Sequence, residues 1–469
     1  MDIRKLGCAC FVFAFFSFTF AQDERKLPEN MTVRTHAYGH FESGQIVHGN
    51  IKNEDLSTNG NKYDIAHVWT EDAVVAIGVE ALYKERLKLA FGISSKLYFS
   101  YPQFLKHDGY TKNMRQDFGF DDVYAQYTAG GEQSPMTIMG RVGYFTYKYN
   151  PDVRNLGEYL FRTGTYPAFI DNGFDFPARR LLGFQGQLDL FHSFRTDLFF
   201  ISQTISPAMN WSVAALADYD LLGKKFLTIG VGVNFSHLFD VYNDQSFPAD
   251  GGNPTQSKSD INSQYIKEIT PAGDTIKEYY TFKGTKIMAR ISLDPKILIP
   301  FSGFGQNDLR VYAEACVVGV KSYPDSGFMS GSPVLSLVAP SYNKINEKTP
   351  IVIGFNFPMF KILDVLNFEC EYFGAKYYND ASFTINKGSA PLPNNVTAMI
   401  TDPNSPRKSD IKWSAYAKRS FFDGHFSIIG QVASDHMRLG CAAYNYEYWN
   451  DLLVTKDDWW WVLKTTWSF

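Results

Sequence analysis

Apolar and polar residues alternate along much of this 469-residue chain. In the clearest stretch, residues 227–236, every odd position is apolar and the even positions hold Thr, Gly, Asn or Ser. The same split recurs over residues 87–99, 286–293 and 309–315, where Lys, Arg and Glu fall on the polar parity. Side chains of a strand point alternately to opposite faces, so this period of two predicts strands with one apolar and one polar face.

The alternation, read together with the turn-forming residues between runs, predicts 16 strands, with 14 or 18 left open. They cover residues 33–48, 66–83, 87–101, 118–129, 136–147, 180–191, 196–205, 211–220, 226–239, 277–293, 308–321, 350–358, 364–377, 411–420, 425–436 and 457–469.

Short and long connections largely alternate between these strands. The short ones are residues 84–86, 130–135, 192–195, 221–225, 359–363 and 421–424. The long ones, rich in Gly, Pro, Asn and Asp, are residues 148–179, 240–276, 322–349, 378–410 and 437–456. Transmembrane barrels place short periplasmic turns on one rim and longer external loops on the other. Residues 294–307 are long for a turn and 206–210 short for a loop, which indicates a misplaced strand pair or an irregular barrel.

Composition separates a membrane barrel from a β-sandwich, which would show the same alternation. The chain has 28 Tyr, 40 Phe and 8 Trp, yet its mean hydropathy is only −0.22. Membrane barrels combine these properties because apolar residues face lipid, polar residues face the lumen, and aromatic girdles mark the interfaces. Backbone groups in lipid must all be paired, so the strands must close. The predicted fold class is an all-β, antiparallel, up-and-down transmembrane β-barrel.

The N-terminus has the pattern of a secretory signal peptide. Arg4 and Lys5 precede an apolar run over residues 6–16, and small residues end the segment at Ala21. The run is shorter than the roughly 20 residues that a spanning helix needs. We expect cleavage after Ala21, which leaves residues 22–469 as one barrel domain in a bacterial, Gram-negative outer membrane.

Aromatic and apolar residues alternate over the last eleven positions, residues 459–469. They are Trp459, Trp461, Leu463, Trp467 and Phe469, with Thr465 between them. This pattern resembles the β-signal of outer-membrane barrels, so the resemblance implies that Trp461, Leu463, Trp467 and Phe469 are read by the barrel-assembly machinery. In architecture the chain resembles the general porins, which implies passive diffusion of small hydrophilic solutes and allows a homotrimer.

One long external loop folds into the lumen in general porins, and residues 148–179 are the candidate here. The segment mixes both charge signs with aromatics, and its candidate constriction residues are Asp152, Arg154, Glu158 and Arg162. Fixed charges in a narrow pore select solutes by sign and size. The alternative is a loop packed over the outside of the barrel.

The alternation also assigns charged residues to the lumen wall. They are Glu80, Lys88, Lys96, Arg141, Asp189, Lys286, Arg290, Arg310, Glu314, Glu369, Glu371, Lys412 and Lys418. A basic side chain facing mid-membrane lipid costs about 2–4 kcal/mol, so these positions favour a wet lumen. For each residue, a salt bridge that stiffens the wall is the alternative to a role in selectivity.

Other functions find less support in the residues. The formal charge of −4 with scattered Lys and Arg argues against nucleic acid, and no cofactor or metal spacing stands out. Cys316, Cys370 and Cys441 imply no disulfide framework and are interpreted as wall-filling side chains. No Gly-x-Ser-x-Gly motif accompanies a histidine, so we do not expect an enzyme.

Two other barrel types stay open. Residues 437–456 hold Tyr444, Tyr446, Tyr448 and Trp449, which could stack on sugars in a surface adhesin or glycan-binding barrel. Girdle aromatics explain the same residues. Residues 22–32 leave room for only a short N-terminal plug, as in a fatty-acid-transporter-like barrel.

Overall fold

The fold is that of a computed structural model. It describes residues 30–49, 52–55, 61–64, 69–98, 115–131, 133–163, 166–167, 179–202, 211–221, 226–239, 263–269, 275–281, 284–299, 301–320, 327–328, 336–337, 344–374, 409–434 and 455–469. The predicted signal peptide, Cys441 and the aromatic loop 437–454 lie outside these ranges, so those expectations stay predictions.

Sixteen strands of the described chain close into one antiparallel barrel. They are β1 (Met31–His48), β2 (Trp69–Tyr83), β3 (Leu87–Tyr98), β4 (Arg115–Ala129), β5 (Met136–Tyr147), β6 (Arg179–Leu190), β7 (Phe194–Ser202), β8 (Trp211–Leu221), β9 (Leu227–Phe239), β10 (Gly284–Leu293), β11 (Val311–Val317), β12 (Ile351–Asn356), β13 (Val365–Tyr372), β14 (Ile411–Phe421), β15 (Phe426–Ala433) and β16 (Trp459–Ser468). Each strand pairs with its neighbours in sequence, and β1 closes the ring against β16 from Tyr38–Ser468 to His48–Trp459.

The predicted fold class and strand number are confirmed. One strand was placed too early: residues 275–281 pair with Ser263–Ile269 in a separate hairpin, so β10 begins only at Gly284. Further two-stranded pairs join Lys52–Asp55 with Asn61–Asp64, Arg162–Thr163 with Tyr166–Pro167, and Gly327–Phe328 with Ser336–Leu337.

Short 3₁₀ helices occupy Tyr159–Phe161, Pro295–Leu298, Ile345–Lys348 and Phe422–Gly424. Within the described ranges, no helix has the length and apolarity needed to cross a membrane. The helix Pro295–Leu298 explains the long connection after β10: Asp294 accepts a hydrogen bond from the Lys296 amide at 3.2 Å, and Pro295 starts the turn. The barrel is irregular there, and no strand pair is misplaced.

Tight turns define one rim of the barrel. Lys84 and Glu85 both have positive φ angles, 50° and 56°, and the Arg86 amide donates to the Tyr83 carbonyl at 3.1 Å. Positive φ at both central residues matches the right-handed twist of the flanking strands. Phe191 and His192 repeat this geometry between β6 and β7. The rim carrying these turns is called the turn rim below.

The two faces of the wall differ as the alternation predicts. Phe91, Ile93 and Ile353 point outward and are 52%, 50% and 57% exposed, while Lys286 and Glu369 point inward and are buried. A closed barrel with an apolar exterior pairs every strand edge and presents hydrocarbon to lipid. The architecture is therefore a closed antiparallel barrel with the apolar exterior that a transmembrane barrel needs.

Candidate functional site

The chain that follows β5 turns into the barrel interior. Residues 148–163, called the lumen loop here, reach β13, which lies halfway round the ring from β5. Three successive loop amides, of Arg154, Asn155 and Leu156, donate to the two carboxylate oxygens of Glu369 at 2.5, 2.9 and 2.9 Å. Hydrogen bonds to an ionised acceptor are about twice as strong as neutral ones. Glu369 thus fastens the loop to the wall opposite its origin.

A second carboxylate fastens the same loop on β11. Glu314 accepts hydrogen bonds from the Tyr149 hydroxyl at 2.6 Å, the Asn150 side-chain amide at 2.8 Å and the Tyr159 backbone amide at 2.9 Å. The Tyr159 hydroxyl donates to Glu371 on β13. Glu314, Glu369 and Glu371 are at most 1% exposed. A buried charge is tolerated when it is fully hydrogen-bonded, and Glu314 and Glu369 meet that condition through the loop.

Apolar packing fills the space between the loop and strands β6–β13. The buried cluster is Phe145, Tyr147, Tyr149, Leu156, Tyr159, Leu160, Phe161, Leu181, Phe199, Ile201, Ala214, Leu216, Met288, Cys316, Val318, Val352 and Phe373. The ring of Phe161 meets those of Tyr147 and Phe199 edge to face, at 6.1 and 5.9 Å between centroids. This side of the lumen is a packed core.

The loop backbone contains one position that requires glycine. Gly157 has a φ of +88°, and a Cβ there would lie 2.8 Å from Cγ1 of Val153. Left-handed backbone is freely accessible to glycine alone. The sharp turn lets Glu158 reach back and accept a hydrogen bond from the Asn150 amide at 2.6 Å.

Basic wall residues hold the loop at two further points. Lys286 on β10 donates to the Tyr159 carbonyl at 3.2 Å. Arg310, just before β11, lies 2.8 Å from Asp152, which also accepts from the Ser292 hydroxyl at 2.6 Å. Burial opposes ionisation of Asp152, but the Ser292 hydrogen bond and the Arg310 charge together lower its pKa. These contacts fix the loop near its start, at Asp152, and near its end, at Tyr159.

Glycine in β9 lets an ion pair form between non-adjacent strands. Arg290 on β10 lies 2.8 Å from Asp218 on β8, and β9 runs between them. The residue in register with both is Gly230, where an added Cβ would lie 2.7 Å from Cγ of Arg290. Arg290 therefore spans β9 through the space that a side chain would occupy.

Strands β14–β16 and β1–β4 form the side of the lumen away from the loop core. Asp72 on β2 lies 3.0 Å from His40 and 3.3 Å from Lys96. Lys88 pairs with Glu80 at 2.6 Å, and both side chains are about one third exposed, at 29% and 32%. All of these residues face the lumen, and their partners are other residues of the barrel strands.

Further charges of this side, and Arg141 on the adjacent strand β5, meet polar or aromatic partners. Arg141 donates to Gln126 at 2.9 Å and stacks over Tyr124, with 4.9 Å from the guanidinium carbon to the ring centroid. Lys464 lies 3.8 Å from Glu42. The guanidinium of Arg154, on the loop, lies 5.9 Å from the ring of Tyr416 on β14. Arg154 is thus the loop charge that faces this side.

A cavity of about 1750 Å³ opens beneath the lumen loop toward the turn rim. It is called the vestibule here. Tyr149, Pro151 and Asp152 of the loop form part of its lining. The ends of β2 and of β4–β10, with the turns between strands, form its wall. Equal numbers of acidic and basic side chains line it, so a solute meets many fixed charges but little net charge.

The structure brings three of the four predicted constriction residues, Asp152, Arg154 and Glu158, into the lumen on one loop. Arg162, near the end of the loop, belongs to a two-stranded pair, and its side chain lies outside the described set. Of the predicted wall residues, Lys286, Arg310, Glu314, Glu369 and Glu371 hold the loop, while Lys88, Lys96, Arg141 and Arg290 contact other wall residues. Whether any of them selects solutes stays a prediction.

Sequence reasoning missed several lumen residues. Asp72, Asp218 and Asp197 pair with the predicted bases Lys96, Arg290 and with Arg195. All three aspartates lie at inward positions of correctly predicted strands, so strand parity alone could have identified them. The aromatic anchors of the loop, Tyr149 and Tyr159, had no local signal.

The proposed assembly signal lies on the outside of the last strand. Trp461, Leu463 and Trp467 share the outward parity of β16, and Leu463 is 50% exposed. Trp461 meets Trp69 of β2 edge to face at 5.6 Å. Phe469 exchanges backbone hydrogen bonds with Ala37 at 2.8 and 3.0 Å, which pins the strand end to β1.

The cysteines and histidines of the described ranges have ordinary surroundings. Cys316 is buried in the lumen core and Cys370 faces outward, and neither forms a disulfide there. His40 and His48 contact Asp72 and Asp458. Within the described residues no three His, Cys, Asp or Glu side chains group as metal ligands would.

Neither the family models nor the curated proteins yield a match to this chain. Several solved porin structures are similar in fold. OprB of Pseudomonas putida at high pH is 9% identical, with 93% of this chain and 94% of that chain covered and a TM-score of 0.46. OmpF of Salmonella typhi in complex with daunomycin is 9% identical, with 94% and 99% covered and a TM-score of 0.45. An anion-selective porin from Comamonas acidovorans is 9% identical, with 94% and 100% covered and a TM-score of 0.44.

Proposed function

We propose that this protein is a porin-like channel of the bacterial outer membrane that passes small hydrophilic solutes by passive diffusion. The observation that carries the proposal is the lumen loop, which crosses a closed barrel and is fastened by Glu314 and Glu369. A loop fixed in this way narrows the lumen without filling all of it. The apolar exterior supports placement in a membrane.

The passage lies between the loop and strands β14–β16 and β1–β4, because apolar residues pack the opposite side. Lys88 and Glu80 line this side, and Arg141 adjoins it from β5. An ion or sugar that sheds water here finds both charge signs and aromatic faces as replacement partners. These side chains, with Arg154 and Asp152 on the loop, are the proposed selectivity residues.

We propose no enzymatic activity. The buried carboxylates of the lumen accept hydrogen bonds from loop amides and hydroxyls, and this leaves them committed to holding the loop. A general acid or base must instead reach a substrate proton.

The proposals on export and assembly rest on two sequence patterns. We propose that residues 1–21 are cleaved, that the barrel-assembly machinery reads Trp461, Leu463, Trp467 and Phe469, and that outer-membrane lipid surrounds the barrel. The general-porin resemblance allows a homotrimer. The supporting observations are the sequence patterns and the outward-facing, half-exposed Leu463 on β16.

Single-channel recording of the refolded mature protein in a planar bilayer tests the channel. Discrete open steps are expected, and a salt gradient with added oligosaccharides ranks ions against sugars. A control preparation, unfolded and added at equal concentration, should give no steps. A folded barrel that stays electrically silent would contradict the proposal and favour an adhesin.

A further inference from the structure

The turn rim carries an exposed apolar patch in the sector of strands β10–β14. Its side chains belong to the connection after β10 and to the turn between β12 and β13. They are Leu298, Ile299, Phe301, Phe360 and Ile362, each between 43% and 68% exposed. This set is called the rim patch below. A contiguous apolar patch among polar neighbours marks a site of interaction with a protein or a membrane.

Hydrogen bonds and ring contacts join the two segments of the rim patch. The buried carboxylate of Asp308 accepts from the backbone amides of Gly305 at 2.7 Å and of Phe360 at 3.0 Å. The Phe301 ring meets Phe360 edge to face at 6.0 Å and Phe304 edge to face at 5.0 Å. The connection and the turn therefore form one surface.

Two cationic residues border the rim patch and contact each other. Nη1 of Arg419 donates to the backbone carbonyl of Lys361 at 2.5 Å, and the Lys361 ammonium donates to the Ser302 carbonyl at 2.9 Å. One carboxylate, that of Asp364, lies 3.8 Å from the same Nη1. Both of these Arg419 contacts within the described chain use Nη1, so Nε and Nη2 remain for another acceptor.

Arg419 lies on the outer face of the barrel. Its partner in register on β15 is Ile428, an outward residue that is 39% exposed. Arg419 comes two residues before β14 ends at Phe421, and its guanidinium carbon lies 5.7 Å from the centre of that ring. A basic side chain is costly at the middle of a membrane and tolerated near its interface. Arg419 is therefore a lipid-facing cation at the depth of headgroups.

We propose that the rim patch binds an anionic phospholipid of the periplasmic leaflet, whose phosphate contacts Arg419 and Lys361 while its acyl chains cover the apolar residues. This rests on the membrane placement in the proposed function. The planar guanidinium fork matches phosphate geometry, and a basic residue at an anionic lipid surface strengthens binding.

Two observations favour a lipid over a second copy of the chain. The patch continues the lipid-facing wall, because Phe355 of β12 meets Phe357, at the start of the same turn, edge to face at 4.9 Å. Its cations complement an anionic headgroup, whereas a second copy seated on the patch would bring the like charges of Lys361 and Arg419 together.

Native mass spectrometry of the refolded mature chain in detergent tests the proposal without measuring conduction. Dioleoyl phosphatidylglycerol is compared with dioleoyl phosphatidylcholine, which has the same acyl chains and no net charge. We expect phosphatidylglycerol to bind at least about fivefold more tightly. Equal affinities would overturn the lipid site whether or not the barrel conducts. A dimer that excludes both lipids would assign the patch to a second copy and overturn it too.

Charge variants locate the headgroup. K361M and R419M each remove one cation and should weaken phosphatidylglycerol binding about fivefold, with phosphatidylcholine binding unchanged. R419K retains the charge and should restore most of the preference. K84M is the matched control, because Lys84 also has a positive φ in a turn of the same rim, and it should bind as the parent does. Unchanged preference in both K361M and R419M, each shown to be folded by heat-modified gel migration, would contradict the site.

F360N tests the apolar part of the site. Phe360 has a φ of +50°, a value that Asn adopts more readily than Phe. The variant should keep its turn, and its backbone amide can still donate to Asp308. We expect it to weaken the binding of both phospholipids by a similar factor. A folded F360N barrel that binds both lipids as the parent does would show that the patch does not contact the acyl chains.

Discussion

The two sides of the lumen use charged residues in opposite ways. On the β6–β13 side, Glu314 and Glu369 are buried and bind loop amides, and an apolar core covers them. On the β14–β4 side, Lys88 and Glu80 pair with each other while remaining about one third exposed. Inward-facing charged residues therefore hold the loop on one side of the lumen and contact water on the other. What decides the role is whether the loop covers the residue.

The largest expected effect comes from removing a loop anchor. E369A takes the acceptor from three loop amides inside a dry core, so we expect a loss of about 3–5 kcal/mol in unfolding free energy. Urea unfolding followed by tryptophan fluorescence measures it.

The matched control for that variant lies across the lumen. E80A removes the Lys88 partner, which is about one third exposed, and should cost about 1 kcal/mol or less. Equal losses for E369A and E80A would mean that the loop side is no drier than the other.

The next largest effect is expected from overpacking the space beside Gly230 on β9. G230A places a methyl group against the Arg290 side chain, so the Arg290–Asp218 pair must shift, at a cost of about 1–3 kcal/mol. G186A is the control, because an added Cβ there meets nothing within 4 Å. Thermal unfolding of both variants should show a loss for G230A alone.

A charge on the wet wall should change selectivity more than stability. K88M removes a lumen cation that is about one third exposed, so the reversal potential in a salt gradient should move toward cation selectivity. Stability should stay within about 1 kcal/mol of the parent. K286M loses a contact to the loop. It should therefore lower stability more than K88M does and shift the reversal potential less. A larger selectivity shift in K286M than in K88M would exchange the roles of the two sides.

The smallest effect is a pH dependence from Lys148. Its folded pKa of about 8 lies below the ordinary value of 10.5 because of burial and Arg154. Between these values the unfolded chain binds the proton that the folded chain has lost, so stability should rise with pH from about 8 to 10. Cation selectivity should rise over the same range. K148M should abolish both trends, and an unchanged pH profile in that variant would assign them to another group.

The strands were predictable because their signal is local. The alternation over 227–236 fixes both the strand and its faces, and β9 follows it from Leu227 to Phe239. Alternation also misled: residues 275–281 carry a strand pattern, but they pair with Ser263–Ile269 outside the barrel ring. Periodicity identifies a strand and does not identify its partner.

The route of the lumen loop was only partly predictable. Its charges and aromatics indicated an internal segment, yet its fastening joins residues far apart in sequence, such as Asn155 and Glu369. Nothing near Glu369 distinguishes an anchor from a pore charge. The His40–Asp72 contact was missed for the same reason, since each residue lies on its own strand and only the register brings them together.

The fastened loop is tested most directly by polymer exclusion. Single-channel conductance is recorded with polyethylene glycols of increasing size for the parent and for E369A. If the loop narrows the lumen, the parent will exclude polymers that E369A admits, and the open-state conductance of E369A will be higher. The same size cut-off and the same conductance in both would show that the segment anchored at Glu369 does not limit the pore.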